Sequence, residues 1–204
     1  MKPIFKIAHE LVHDENITWD TLDLSMADVH HKGLYSIVIG GTEHGELTRV
    51  FIATEKIEPY ALKLHSHTYD LRLGVIKGVF QHFQAVECGE GAKGPGSIYL
   101  DKYEYKSPLN GGNGLKYIKR APYSIMNHYV PPSGEVFFDS SIIHTVAVEA
   151  GTIWIIKECG KKTETSIVLG EKFTTENLYN KMDRGEISDI FLKLKTRLDK
   201  IVEK

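Results

Sequence analysis

Residues 34 to 169 form a succession of short apolar or alternating runs that are rich in Val, Ile, Tyr and Phe and broken by Gly, Pro and Asn. Runs of this length and composition are typical of β-strands separated by turns. We predict twelve strands, at Leu34–Ile39, Leu47–Ala53, Ala61–His67, Leu71–Ile76, Val79–Val86, Ser97–Tyr105, Leu115–Ile118, Tyr123–Tyr129, Glu135–Phe138, His144–Glu149, Thr152–Glu158 and Thr165–Leu169. Because no helical segment separates them, the pattern predicts one barrel or sandwich.

Two segments flank the strand-rich region, whose bounds we take as residues 34–170. We expect residues 1–33 to form an N-terminal arm that packs on the barrel. Residues 171–204 contain apolar side chains spaced three and four apart, which is typical of an amphipathic helix. The sequence therefore predicts an all-β domain with a C-terminal α-helical appendage that docks on the barrel or on a second subunit. No linker divides the chain, so we expect one structural domain.

Composition narrows the range of partners. The chain has 204 residues and is long enough to bury a sizeable core. Its formal net charge is -2, so it offers no overall positive field to nucleic acid or to an anionic membrane, and we expect neither partner. No apolar segment is long enough to span a bilayer and no targeting pattern opens the chain, which predicts a cytoplasmic protein.

Histidine is the unusual residue of this composition. Ten histidines accompany two cysteines, which argues against a disulfide framework or a thiolate zinc site and leaves imidazole-based metal binding open. The strongest local pattern is His65-Ser66-His67-Thr68, within a predicted strand. Residues two apart on a strand point to the same side, so His65 and His67 would present two imidazoles to one space. A pair on a solvated strand edge is the alternative, because His-x-His also arises by chance in a histidine-rich chain.

The context of this pair resembles the cupin superfamily. The first cupin motif has a His-x-His pair followed by a glutamate and a closing glycine, and the second has a glycine followed by a histidine that opens a strand. The positions that match these motifs are His65, His67, Gly78, Gly134 and His144. The resemblance covers about residues 47–158 and implies a double-stranded β-barrel of the jelly-roll type. It also implies that His65, His67 and His144 bind one divalent metal ion per chain.

Several positions depart from this pattern, and the missing glutamate is the one that bears on the ligand set. Leu71 and Arg72 stand where cupins have the glutamate, and Asp70 lies one residue too early. We therefore expect three histidine ligands without a carboxylate. This set resembles the three-histidine thiol dioxygenases, such as cysteine dioxygenase, in its His-x-His-Thr sequence and in the Ser-Ile-x that precedes His144. The resemblance favours Fe(II), while the spacing of the histidines leaves Zn, Ni and Mn open.

Four residues are candidates for contact with a substrate. They are Arg49, Arg72, Tyr69 and His128. Arg49 shares a predicted strand face with Phe51 and Ala53, and a guanidinium on a face that lines the barrel would bind a substrate carboxylate. Arg72 carries the same interpretation, and an exposed edge arginine is the alternative for both. Tyr69 and His128 lie in or next to predicted strands near the two motifs, where they would line the pocket.

Other histidines are assigned by their place in the strand pattern. Gln81 and His82 adjoin on the strand that returns from Gly78, so only one of them can face inward. That residue would be a fourth ligand or would orient a ligating imidazole through a hydrogen bond, and an ordinary strand residue without such a role is the alternative. His30, His31 and His44 fall in predicted loops, where we expect surface imidazoles.

These expectations lead to one functional hypothesis and two alternatives. The first hypothesis is a metal-dependent cupin enzyme, most simply a homodimer, that oxidises a small polar or anionic molecule with dioxygen. A metal-assisted isomerase or lyase on the same barrel would polarise a carbonyl without consuming oxygen. A non-catalytic barrel that binds a small molecule or a metal ion is the second alternative, because one fold hosts many chemistries.

Overall fold

The computed structural model of the chain describes residues 3–15, 17–41, 46–89, 96–107, 111–170 and 180–202. About half of these residues lie in strands. The strands are β1 (Met26–Ala27), β2 (Leu34–Gly41), β3 (Leu47–Ala53), β4 (Leu64–His65), β5 (Tyr69–Lys77), β6 (Phe80–Glu87), β7 (Ile98–Lys106), β8 (Gly114–Val130), β9 (Glu135–Phe138), β10 (Ile143–Val148), β11 (Ile153–Lys161), β12 (Ser166–Leu169) and β13 (Asn180–Lys181). The helices are α1 (Ile4–Val12), α2 (Trp19–Leu22) and α3 (Arg184–Val202).

The strands pair in two antiparallel sheets. The first sheet has seven strands in the order β13-β1-β2-β3-β11-β5-β9. The second has six strands in the order β10-β4-β12-β7-β8-β6, and β6 also pairs with β10. The turn between β5 and β6 falls at Gly78, as the sequence predicts, and this glycine has a φ of +98°, which a residue without a side chain adopts readily.

The two sheets pack face to face through an apolar core. This core combines β5 residues of the first sheet with β6 and β10 residues of the second, including Leu71, Leu73, Val75, Phe80, Val146 and Val148. The alternation of side chains along each strand sends the intervening residues to the opposite faces. On the second sheet those residues form a separate core, which contains Leu64, Ala85, Ala121, Tyr123 and Leu169.

Helices α1 and α3 cover the outer face of the first sheet. Ile4, Phe5, Ala8 and Val12 recur on one side of α1 and pack with Leu194 and Leu198 of α3 on sheet residues such as Ile37 and Ile155. Gly74 allows the close approach of α1, because a Cβ atom at this position would lie 2.5 Å from Cγ2 of Ile4. Among the described residues, no helix combines the length and the apolar character that a membrane crossing requires.

Two features of the strand prediction need correction, although the mostly-β fold and the C-terminal helix are confirmed. The predicted strands 115–118 and 123–129 are one strand, because β8 pairs with β7 through residues 114–123 and then with β6 through residues 123–130. The predicted strand 61–67 is reduced to β4, since Tyr60 has a φ of +65° and the chain turns just before it. The predicted helical segment before residue 180 lies outside the described residues.

Candidate metal centre

The short strand β4 brings the predicted ligands together. β4 pairs with β10 on one side, where His65 and His144 stand directly opposite each other. On the other side, Ser66 is held by β12: its N–H donates to the carbonyl of Ile167, and its hydroxyl accepts from the N–H of Ile167. Because side chains alternate along an extended chain, this anchoring of Ser66 directs His65 and His67 to the same space as His144.

The three imidazoles stand at a spacing that suits one metal ion. Each of His65, His67 and His144 offers one ring nitrogen that lies within 4.8 Å of the other two. The Nε2 atoms of His67 and His144 are 2.8 Å apart. Two nitrogens that bind one ion at a distance of about 2.1 Å are themselves about 3.0 to 3.4 Å apart. The rings of His67 and His144 therefore need to move apart by only a few tenths of an ångström for both nitrogens to bind one ion.

Hydrogen bonds fix the ring orientation of two of these histidines. Nδ1 of His65 lies 2.8 Å from the carbonyl oxygen of Lys63, which can only accept, so this Nδ1 carries the proton and donates it. Nδ1 of His144 lies 2.9 Å from Nε2 of His82. If Nδ1 of His144 donates this bond, Nε2 of His144 keeps its lone pair free for a metal. The carbonyl of Lys63 leaves Nε2 of His65 free in the same way. Such partners behind a ligating imidazole fix its tautomer and raise its basicity.

Burial keeps the imidazoles neutral. His82 and His144 are only 3% and 4% exposed. Burial lowers the pKa of His65, and burial together with the charges of neighbouring imidazoles lowers the pKa of His67 and His144 well below the usual value of 6.5. Burial also lowers the pKa of His82 to about 4. Since only the neutral ring has a free lone pair, these residues are in the metal-binding form at neutral pH.

The described residues place no carboxylate in this cluster. Asp70, the acid nearest to the missing motif glutamate, accepts a 2.9 Å hydrogen bond from the backbone N–H of Ser140 and pairs with Lys162 at 3.4 Å. Asp70 therefore holds the turn that leads into β10 instead of a metal. The donor set is three imidazoles, which suits Fe(II), Ni and Zn; Mn(II) usually takes oxygen ligands.

The surroundings of the cluster are partly apolar and partly open. The ring of Phe138 lies 4.4 Å from that of His82 and 5.1 Å from that of His144, between ring centroids. His128 stands opposite His82 on β8, with ring centroids 6.4 Å apart, and its side chain is exposed. Phe138 thus closes one side of the cluster, and the half-buried His65 and the exposed His128 mark sides that solvent reaches.

The structure settles which of Gln81 and His82 faces inward. His82 contacts His144, whereas Gln81 lies on the opposite face of β6. There it lines a surface cleft of 240 Å³ together with residues such as Lys56 and Glu149, and no histidine of the cluster lines this cleft. His82 is therefore the hydrogen-bond partner of a candidate ligand, His144.

The two candidate arginines lie on opposite faces of the first sheet. Arg72 faces α1, is 6% exposed and pairs with the carboxylate of Glu135, whose other oxygen accepts the N–H of Ile4 at 3.0 Å. Arg49 is on the face between the sheets, which it shares with Phe51 and Ala53, and donates to the hydroxyl of Ser36 at 3.2 Å. Two strands, β11 and β5, lie between Arg49 on β3 and Phe138 on β9, so the two backbones are three strand spacings apart, about 14 Å.

Two other residues of this inter-sheet face are polar. Tyr69, two residues after His67, packs against the core between the sheets. Glu158 stands opposite Leu71 on β11 and accepts a 2.8 Å hydrogen bond from the N–H of Leu47. Burial raises the pKa of Glu158, although the positive charge of Arg49 opposes this shift.

His30 is the residue of this region that the sequence pattern missed. It belongs to a loop before β2 and has a φ of +62°. Its side chain is exposed, as the sequence predicts for a loop histidine, while desolvation by its neighbours and the charge of His65 lower its pKa. No periodicity marks a loop residue, so only the tertiary fold could reveal that His30 comes near the cluster. His44, also assigned to a loop, lies outside the described residues.

Comparison of the chain with protein-family models gives no match, and comparison with curated proteins gives none either. The resemblance to cupins therefore depends on the motif residues themselves. The convergence of His65, His67 and His144 in space is independent of that resemblance, because it follows from strand pairing.

Replacing His82 tests its hydrogen bond to His144. We expect His82→Phe to weaken Fe(II) binding by about 10- to 100-fold, because Nδ1 of His144 loses its partner while all three ligands remain. The dissociation constant is measured anaerobically by competition with a chromophoric chelator. Gln81→Ala, on the opposite face of the same strand, is the control and should bind as the wild type does. An unchanged affinity in a folded His82→Phe variant would contradict the role.

Replacing Glu158 tests the effect of its burial on stability. Its folded-state pKa is above the unfolded value near 4.5, so protonation stabilises the fold at low pH and this contribution is lost as the pH rises through the folded pKa. We expect the thermal midpoint of Glu158→Gln, relative to wild type, to be higher at pH 7 than at pH 4. Glu15→Gln, at an exposed position, should show no such pH dependence. The opposite trend for Glu158→Gln would show that its ionised form is favoured.

Proposed function

We propose that this protein is a metal-dependent oxidoreductase of the cupin type, in which His65, His67 and His144 hold one Fe(II) and a small polar or anionic molecule is oxidised with dioxygen. The observation that carries the proposal is the convergence of these three neutral imidazoles, two of which have partners that fix their orientation. The packing of two antiparallel sheets and the ring of pairings in the second sheet support a double-stranded barrel.

An ion bound by three neutral ligands would retain its full positive charge and supply a Lewis-acidic, redox-capable centre. The residues of the chain have separate tasks around it. The carbonyl of Lys63 and the ring of His82 hold two ligands in the required tautomer. Phe138 excludes water from the side of His82 and His144.

The position of the charged residues limits the substrate. Arg72 faces the helices, and Arg49 donates a hydrogen bond to Ser36 from a strand that is three strand spacings away from β9. Attraction for an anionic group would therefore come from the bound cation and not from a guanidinium. His128 and Tyr69 are the proposed contacts at the edge of the site, since His128 is exposed beside His82 and Tyr69 follows His67 by two residues.

A metal-assisted isomerase or lyase is the alternative enzyme. The same three-imidazole set would polarise a carbonyl without a change of oxidation state. A binding protein without catalysis would share the metal content and lack turnover. We retain the homodimer and the cytoplasmic location as predictions from the sequence, to be checked by sedimentation and by fractionation of cells.

Metal content is the first measurement. We expect protein purified without chelator, or reconstituted with Fe(II), to hold an ion that His144→Ala and His65→Ala lose, because each variant removes a ligand. Elemental analysis gives the difference between wild type and variant, and circular dichroism confirms that the variants fold. His31→Ala, outside the cluster, is the control. Equal iron contents in wild type and in folded ligand variants would overturn the site.

Oxygen consumption separates the proposed activity from its alternatives. We expect Fe(II)-loaded protein to consume dioxygen with at least one member of a panel of thiols, amino acids and keto acids. His67→Ala should show only the background rate. An oxygen electrode follows the uptake, and mass spectrometry identifies the oxidised product. Metal binding without uptake across the panel would favour the isomerase, lyase or binding protein.

A further inference from the structure

A second group of metal-ligating side chains lies on the helices, away from the sheets. His9 is on α1 and His13 is the residue that caps its C-terminus, one turn later; their ring centroids are 4.6 Å apart. Both Nε2 atoms face the same carboxylate oxygen of Asp199 on α3, at 3.1 Å for His9 and 2.8 Å for His13. One ligand atom from each of the three residues lies within 4.8 Å of the other two.

The helix packing holds these three residues in place. Ala8 and Val12, each next to a histidine of the group, are fully buried, and so is Leu198 next to Asp199. These neighbours belong to the core that α1 and α3 share with the first sheet. The backbone of each ligand is therefore fixed by apolar packing, while the ligand side chains remain 29%, 40% and 39% exposed. An ion can reach the group without opening the fold.

From this geometry we propose that His9, His13 and Asp199 form a second site for a divalent transition-metal ion, which links the N-terminal helix to the C-terminal helix. Two imidazoles and one carboxylate, with water as a fourth ligand, suit tetrahedral Zn²⁺ and its spectroscopic substitute Co²⁺. The two imidazole nitrogens lie 3.1 and 2.8 Å from the Asp199 oxygen, close to the separation of about 3.0 to 3.4 Å between two ligands of one such ion.

The ion replaces existing contacts within the group. An imidazole Nε2–H that donates to Asp199 releases its proton when that nitrogen binds metal, so the hydrogen bonds give way to coordination bonds. The carboxylate is ionised, since hydrogen bonds from His13 and His9 and their charges lower the pKa of Asp199. The linked helices are far apart in sequence, so a metal bridge at this point stabilises the folded chain over the unfolded one.

Metal titration of chelator-treated protein tests this site separately from the three-histidine cluster. We expect the wild type to bind about two equivalents of Co²⁺, observed by visible absorption, and His67→Asn and Asp199→Asn to bind about one each. The double variant His67→Asn/Asp199→Asn should bind no Co²⁺. Asn at position 199 keeps an oxygen that accepts from the histidines, so the helix pair is expected to persist. Asp189→Asn, at an exposed position of the same helix, is the control and should bind as the wild type does.

Thermal unfolding gives a second readout that does not depend on the first site. In the His67→Asn background, Zn²⁺ at a 100-fold excess over its Kd should raise Tm by about 5 to 10 °C. Adding Asp199→Asn or His13→Gln should abolish this shift. If His67→Asn and the double variant bind the same amount of Co²⁺ and show the same Tm shift, the second site does not exist. If His67→Asn fails to fold, the comparison of wild type with Asp199→Asn decides the question in the same way.

Discussion

The arrangement of the three-histidine cluster depends on the pairing of one very short strand. β4 has two residues, yet it stands between β10 and β12 and is hydrogen-bonded to both. Its pairing with β10 sets His65 opposite His144, and the contacts of Ser66 with Ile167 fix the direction in which His67 leaves the strand. A shift of one residue in this register would turn both histidines of the His-x-His pair towards the other face of the sheet.

Burial gives this cluster its chemical state. An imidazole removed from water loses more hydration free energy as a cation than as a neutral ring. The pKa of each imidazole therefore falls and the neutral form predominates. Neutral rings still need hydrogen-bond partners, and the cluster supplies them internally, through His82, the carbonyl of Lys63 and the contact between His67 and His144. Among the described residues, no buried side-chain nitrogen or oxygen lacks a partner. The site is thus stable as a set of neutral donors.

The sequence predicts the convergence of the three histidines because period-two alternation is a local property. His65 and His67 share a side for that reason, and the motif spacing correctly pairs them with His144. It is harder to predict on which face of the sheet a single strand residue lies, because alternation does not show which face is buried. Arg49 and Arg72 received the same interpretation, yet they lie on opposite faces of the first sheet.

Contacts between distant segments were beyond the sequence pattern. Helix α1 lies in the predicted arm. Its apolar residues pack on the first sheet at Gly74 and on α3, and the sequence alone does not show these partners. His30 approaches the cluster from a loop, and Asp199 meets His9 and His13 across the interface between α1 and α3. Such contacts depend on tertiary packing and leave no periodic signal.

The ligand charge distinguishes the two groups of histidines. Three neutral imidazoles leave a divalent ion with a charge of +2 in a buried setting, where an anionic substrate group is the natural counter-charge. Two imidazoles with Asp199 leave only +1, in a setting where water screens the remainder. The buried set is therefore suited to binding and activating a small molecule. The exposed set is suited to holding two helices together, because its ion has less need of a further anionic ligand.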